Sequence, residues 1–330
     1  MLVHIRDILL LRMMSMAQIT ESSLQDVSPK SAWQLFVILL SGKWQPGDFW
    51  NKANYRRKFL WRGLQAPLST WQLLDMLVCL PELQRLLICQ SRLPVRLQRA
   101  YLALKFTRKQ SLHALLFHYQ TMSARLSYEQ RMDWLSPRGL RLATLEGKEG
   151  HDFYIALTSE VNLDKEGDCT MVIHDVQARV LAKITYTLCR YQGKSTLFIG
   201  GLQGASGDIS HEIIQSATKA CYGLFPKRIV LDAVCHFARH MRAEQILAVG
   251  NEVHIYRNAR YRGQAAQMYA DYDNFWQSQG GRLNNEGYYI LPLHLARKEL
   301  DAIPSKKRAE YRRRFALLDE LAEQMRMTLS

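Results

Sequence analysis

The chain has no C-x-x-C pair, no apolar run long enough to cross a bilayer, and neither the G-x-G-x-x-G nor the G-x-x-x-x-G-K-S/T fingerprint. Each absence excludes something. The six cysteines (Cys79, Cys89, Cys169, Cys189, Cys221 and Cys235) sit inside apolar stretches without the paired spacing of a zinc or redox site. They are expected to be buried free thiols in a reducing compartment, not a disulfide scaffold. The longest apolar stretch, residues 32–40, is far short of the ~20 residues that a spanning helix needs. Asp7 and Arg12 interrupt the N-terminal apolar segment, which makes a poor signal-peptide core. The expected location is the cytoplasm, with contact at the face of the inner membrane left open. Without the two nucleotide fingerprints, the usual Rossmann and P-loop sites are excluded as motif matches.

Acidic residues are also scarce. Against 44 Lys+Arg stand 30 Asp+Glu, a formal net charge of +14 that favours an anionic partner, either a membrane surface or a phosphorylated ligand. The excess is concentrated: residues 1–135 hold 18 Lys+Arg and 8 Asp+Glu, the remainder 26 and 22. Within this basic part, Arg56, Arg57, Lys58, Arg92, Arg96, Arg99, Lys105, Arg108 and Lys109 are interleaved with Phe59, Trp61, Tyr101 and Phe106. Such a surface suits phosphates with stacked bases and an anionic membrane alike. No zinc, RRM or KH signature supports nucleic acid, so that partner is not expected.

With 48% hydrophobic residues the chain can build a substantial core. Its patterning divides it into three parts. Residues 1–27 are expected to be loosely structured. Residues 28–135 read as a basic helical domain: Ser28-Pro29 starts a helix that Gly42 stops, residues 70–78 form another, and Thr107 with Gln110 makes a capping box for a third. Residues 136–330 read as a mixed sheet flanked by helices. Strands are expected at 140–145, 153–157, 169–174, 180–188, 196–202, 245–250 and 288–291. In the fourth, Val180, Ala182, Ile184, Tyr186 and Leu188 alternate with Arg179, Lys183, Thr185 and Thr187, the pattern of a half-buried antiparallel strand. A long helix after Pro304 would carry a stripe of Tyr311, Phe315, Leu318, Ala322 and Met325, with Lys306, Lys307, Arg308, Arg312, Arg313 and Arg314 forming either a solvated face or a dock for an anion or acidic partner. The fold class is α+β.

The segment richest in chemistry is the strand 196–202 and the turn Gln203-Gly-Ala-Ser-Gly-Asp208 that follows it. A glycine-rich turn between a buried strand and a helix leaves backbone N–H groups pointing outward, a site for phosphate. Gln203, Gly204, Ala205, Ser206 and Gly207 are therefore the candidate anion-binding residues. Ser206 is not placed as a nucleophile, because the elbow needs G-x-S-x-G. His236 and His240 fall on the edge of an apolar helical stripe and read as core-edge residues, with no metal site. His254, just past the strand 245–250, is a candidate acid/base group at the carboxyl end of a sheet strand.

This order of antiparallel strands, glycine turn, helices and strand resembles the Gcn5-related N-acetyltransferase superfamily. In that superfamily a Gln/Arg-x-x-Gly-x-Gly/Ala turn holds the pyrophosphate of coenzyme A. The resemblance implies a coenzyme A thioester as donor, held at Gln203–Gly207, and a helix like Tyr272-Asp-Asn-Phe-Trp-Gln-Ser-Gln-Gly-Gly281. The general-acid tyrosine would fall four residues before Gly280, where this chain has Trp276; Tyr272, one turn earlier, becomes the candidate. The chain as a whole is similar to the VirK/YbjX family of enterobacterial proteins. That likeness is carried by Leu93-Pro-Val-Arg-Leu-Gln-Arg-Ala-Tyr101, His118-Tyr119, Gly201-Leu-Gln-Gly204, Phe225-Pro-Lys-Arg-Ile229, Ile246-Leu-Ala-Val-Gly-Asn251, Tyr272-Asp-Asn-Phe-Trp276 and Ile303-Pro-Ser-Lys-Lys-Arg308. The resemblance implies a role in envelope stress, antimicrobial-peptide resistance and virulence. It supplies no reaction. An acyl or aminoacyl transfer at the membrane face and a non-catalytic accessory role on anionic lipid or a protein partner both remain compatible with it.

Overall fold

The computed structural model describes residues 28–207, 209–261 and 271–330. The segment 1–27 and Asp208 of the glycine turn lie outside the described residues. The chain is an α+β protein in which helices precede a mixed sheet and a long helix closes the sequence.

Helix α1 (Ala32–Ser41) starts later than Ser28-Pro29 suggests. Its N-cap is Ser31, whose hydroxyl accepts from the Gln34 N–H, and Gly42 ends it in the left-handed region at φ 77°. Four more helices follow: α2 (Asp48–Asn51), α3 (Ala53–Gln65), α4 (Pro67–Val78) and α5 (Leu83–Cys89). The basic stretch beyond them folds as a 3-10 turn, Leu93–Gln98. The capping box forms as expected: Thr107 accepts from the Gln110 N–H and Gln110 reaches back to the Thr107 N–H at the start of α6 (Arg108–Arg125). Helix α7 (Tyr128–Trp134) begins with a second such box at Ser127 and Gln130.

The sheet begins with an antiparallel meander of β1 (Leu140–Glu146), β2 (Asp152–Thr158), β3 (Cys169–Asp175), β4 (Val180–Tyr191) and β5 (Lys194–Gly204). The chain then crosses over through α8 (His211–Ala220) and α9 (Pro226–His240) to β6 (Gln245–Val249), which runs parallel to β5. Helix α10 (Tyr272–Ser278) leads to β7 (Arg282–Leu283) and β8 (Tyr288–Leu291), giving the order β1-β2-β3-β4-β5-β6-β8-β7. All pairs but β5–β6 are antiparallel among the described residues.

One expectation fails on β4. Thr185 and Thr187, placed on a solvent face by alternation, are fully buried. Tyr186 packs on Phe237 of α9, while the Thr187 hydroxyl meets the Tyr101 hydroxyl at 2.7 Å on the opposite face. The strand is covered on both sides, and hydroxyls that satisfy buried partners mimic the polar half of an exposed pattern. Helix α11 (Ser305–Leu329) buries Leu317, Leu318, Leu321, Met325 and Leu329, so the stripe is centred further along than expected; Tyr311 and Phe315 are half-buried. Cys79 is exposed, whereas Cys169, Cys189, Cys221 and Cys235 are buried free thiols.

Candidate functional site

Strands β5 and β6 stay in register only from Thr196–Gln245 to Ile199–Ala248. Next in β5 comes a pair of glycines. The β4 ladder skips there, with Thr185 opposite Gly201 and Tyr186 opposite Ile199, so Gly200 is the extra residue of a bulge. Glycine in a strand interior marks a bulge or a close approach of other chain. Both apply. A Cβ on Gly200 would lie 2.0 Å from the Glu166 carbonyl oxygen, and one on Gly201 would lie 1.9 Å from Glu166 Oε2. The loop between β2 and β3 crosses the sheet here and sets Glu166 against the bulge.

Glu166 is 1% exposed. Its carboxylate accepts from Gln203 Nε2 and bonds to Tyr256, but burial outweighs these and raises its pKa to about 7. His254, fully buried, stands with Nε2 3.7 Å from Glu166 Oε1. Its Nδ1 accepts the Tyr256 N–H at 3.3 Å, which leaves the neutral ring's proton on Nε2. Burial lowers the His254 pKa to about 4. Burial thus disfavours the charged form of both groups, holding the imidazole neutral and making the carboxyl hard to ionise. Glu166 Oε1 and Gln203 Oε1 are both buried, and the His254 ring also bonds to the Gly200 backbone.

Tyr272 joins the group. Its ring lies 5.0 Å from that of His254, and its hydroxyl accepts the Leu202 N–H at 3.2 Å, just past the bulge. Burial pushes its phenol well above the usual range, with Glu166 adding to the shift. Trp276 is fully buried and donates its indole N–H to the Val249 carbonyl at 2.9 Å, a structural role.

The glycine turn is shorter than the sequence suggests. Gln203 and Gly204 belong to β5, opposite Lys183 and Ala182; Ala205, Ser206 and Gly207 follow, and α8 starts only at His211. Lys227, in the first turn of α9, brings its Cε to 3.3 Å from a Cβ built on Gly204, while Gly207 faces open space. Partial burial lowers the Lys227 pKa. His236 sits beside Arg239, and burial lowers its pKa to about 4.

The structure thus brings His254, Tyr272 and Gln203 to one point and leaves Ala205, Ser206 and Gly207 on a rim beyond it. Sequence reasoning missed Glu166, which lies in an aperiodic loop. The overlooked signal was Gly200-Gly201 inside an apolar strand. Also missed was a buried network behind the sheet, where Arg96 meets Asp168 at 3.4 Å and the Tyr119 hydroxyl donates to Asp168 at 3.0 Å.

Fold and site together define an α+β protein with a polar centre buried at the bulge of its one described parallel strand pair. Comparison with known proteins makes the class specific. Residues 48–327 match the family described as Protein of unknown function (DUF535), and the chain belongs to that family. It is 48% identical over 312 residues to the Uncharacterized protein YbjX of Escherichia coli (strain K12), covering 94% of each chain, in accord with the VirK/YbjX motifs. An Uncharacterized protein of Haemophilus influenzae (strain ATCC 51907 / DSM 11121 / KW20 / Rd) is 27% identical over 223 residues, 68% of this chain and 71% of that one.

Proposed function

We propose that this protein transfers an acyl or aminoacyl group from a thioester or ester donor to an amine or hydroxyl, with Glu166 as proton acceptor. One observation carries the reading: a carboxyl with a pKa of about 7 lies beneath a strand bulge, where two parallel strands stop pairing. A base serves best when its pKa lies near the working pH. The strand order and the parallel pair support the acyltransferase likeness. In the reaction the acceptor's lone pair attacks the donor carbonyl, the C–N or C–O bond forms and the C–S or C–O bond of the donor breaks. The proton leaves the nucleophile for Glu166 and passes to the departing thiolate or alkoxide. Tyr272, whose hydroxyl accepts the Leu202 N–H, stands beside His254 at the same point. His254 keeps the Nε2 proton beside Glu166.

A coenzyme A pyrophosphate would lie along this rim, on the backbone of Ala205–Gly207, with the Lys227 ammonium beside Gly204. Calorimetric titration with coenzyme A and acetyl-coenzyme A, with ATP as control, tests this. Micromolar binding is expected, lost on Gly207→Trp and weakened about tenfold by Lys227→Gln. No thioester binding, or binding unaffected by both changes, sinks the reading. The envelope role implied by the resemblance is carried with it: Glu166→Gln is expected not to restore antimicrobial-peptide resistance in a strain lacking the protein.

A second reading rests on a separate observation. Trp33, Trp61, Leu64, Leu68 and Trp71 are 47% to 80% exposed on α1, α3 and α4, beside exposed Arg57 and Lys58. Tryptophan rings and cations suit the interface of an anionic membrane. Arg92 and Arg96 do not belong to such a face, since Arg92 pairs with Asp164 at 3.0 Å and Arg96 is buried. No helix among the described residues is long and apolar enough to cross a membrane. Peripheral attachment predicts co-sedimentation with phosphatidylglycerol vesicles but not phosphatidylcholine vesicles, lost in Trp61→Ser/Lys58→Glu. Equal sedimentation of wild type and variant would overturn it.

A further inference from the structure

A second site lies away from the bulge. A cleft of about 820 Å³ opens between the start of α9, the segment 292–298 and α11. Its apolar wall is Leu224, Pro292, Phe315 and Leu318, with Tyr311 set edge-on to Phe315 at 6.0 Å. Its charged lining is one-sided: Arg228, Arg297, Lys298 and Arg314 line it beside the neutral Gln277 and Gln279, and no carboxylate does among the described residues. Two of these cations are engaged. Arg314 donates to the Tyr222 carbonyl at 2.7 Å, and Arg297 pairs with Asp319 at 2.6 Å from outside the lining. Arg228 is different. Its Nη2 makes a long 3.4 Å bond to the Ala296 carbonyl, and its Nη1 is buried without a hydrogen-bond partner among the described residues. Asp232, one turn further along α9, acts on the charge of Arg228 and is acted on by it, without a direct ion pair among the described residues.

A buried guanidinium nitrogen with nothing to donate to, beside a lysine and an apolar wall, is a half-made anion site. Arg228 and Lys298 together favour more than one negative charge, which a phosphate monoester supplies and a carboxylate does not. We infer that this cleft binds a phosphate monoester carried on an apolar stem, the phosphate on Arg228 and Lys298 and the stem along Leu224, Pro292, Phe315 and Leu318. The site is separate from the bulge: Glu166, His254 and Tyr272 do not line it, although the far end of α10 does through Gln277 and Ser278.

The test is calorimetric titration of the full chain with octyl phosphate below its micelle concentration, beside octanol, octanoate and inorganic phosphate. Octyl phosphate is expected to bind at least about tenfold more tightly than any of the other three, the worth of one charge-assisted hydrogen bond. Arg228→Gln, with an unchanged melting temperature, should weaken it by a similar factor. Exposed Lys298→Glu supplies a second variant that leaves the fold alone, and it should weaken binding too. Glu166→Gln should leave binding unchanged, which separates this site from the proposed transfer chemistry. Octanol binding as well as octyl phosphate would mean a merely apolar groove. Octanoate or inorganic phosphate matching it, or both charge variants binding like wild type, would equally overturn the assignment.

Discussion

At the scale of single residues the protein keeps a carboxyl where water cannot reach it. The Glu166 pKa rises from 4.5 to about 7, so the folded state holds this proton more tightly than the unfolded chain. Between those two values the unfolded chain binds fewer protons, and the stability contributed by this group falls as pH rises. The His254 pKa falls from 6.5 to about 4, so its contribution has the opposite sign and is lost as pH falls through that window. Glu166→Gln keeps the size and the contacts of the side chain but cannot ionise. The variant is expected to be more stable than wild type at pH 8, by up to about 3 kcal/mol, and close to it near pH 4.5. Urea denaturation at the two pH values reads this directly. A constant difference between wild type and variant across the range would show that Glu166 is not a buried titrating group. Loss of transfer activity in the same variant, with stability intact or raised, separates chemistry from folding.

At the scale of elements, the β5 bulge and the loop carrying Glu166 form one unit, and their coupling can be measured. Gly201→Ala drives a Cβ into the Glu166 carboxylate, whereas Gly200→Ala drives one into the Glu166 backbone carbonyl. Each is expected to cost 1–3 kcal/mol or more, as overpacking does. Adding Glu166→Ala removes the clash in the first case only. A double-mutant cycle should therefore show partial rescue of Gly201→Ala and none of Gly200→Ala; rescue of both or of neither would contradict this packing. Helix α6 offers a simpler case, where Thr107→Ala removes the cap and should cost about 1 kcal/mol in chemical denaturation.

These elements also show what the sequence could tell. Strands β1 to β6 and the cap at Thr107 were legible because periodicity and capping are local. Tyr272 and His254 were legible as chemistry-bearing residues, but not as neighbours 5.0 Å apart. Glu166 was illegible because its role arises from a crossing over strands that lie more than thirty positions later in the chain. Thr185 and Thr187 misled because a hydroxyl facing a buried partner looks, in sequence, like one facing water.

At the scale of the whole molecule, the helical part and the sheet are joined through charge as well as apolar packing. Arg96 is 2% exposed, pairs with Asp168 at 3.4 Å, and donates to Gln90 Oε1 at 2.9 Å and to the Asp164 carbonyl. The Tyr101 and Tyr119 hydroxyls donate to the two oxygens of Asp168. The arginine comes from the helical part and the aspartate from the edge of β3, so neither part satisfies its buried charge alone. Breaking such a pair from one side leaves an uncompensated charge and costs about 3–5 kcal/mol. Arg96→Met should lose that much, and Arg96→Met with Asp168→Asn should recover part of it. The same reasoning predicts that residues 136–330, expressed alone, do not fold, since Asp168 would be left without its arginine beneath a stripped sheet face. In the intact chain, urea unfolding should therefore be one transition. Far-ultraviolet circular dichroism and fluorescence of a variant keeping only Trp276, which reports from the sheet side against Val249, should coincide. Two separated transitions, or a stable folded 136–330 fragment, would show instead that the basic helical part and the sheet are independent domains, and that the Arg96–Asp168 pair is a contact between them rather than a condition of folding.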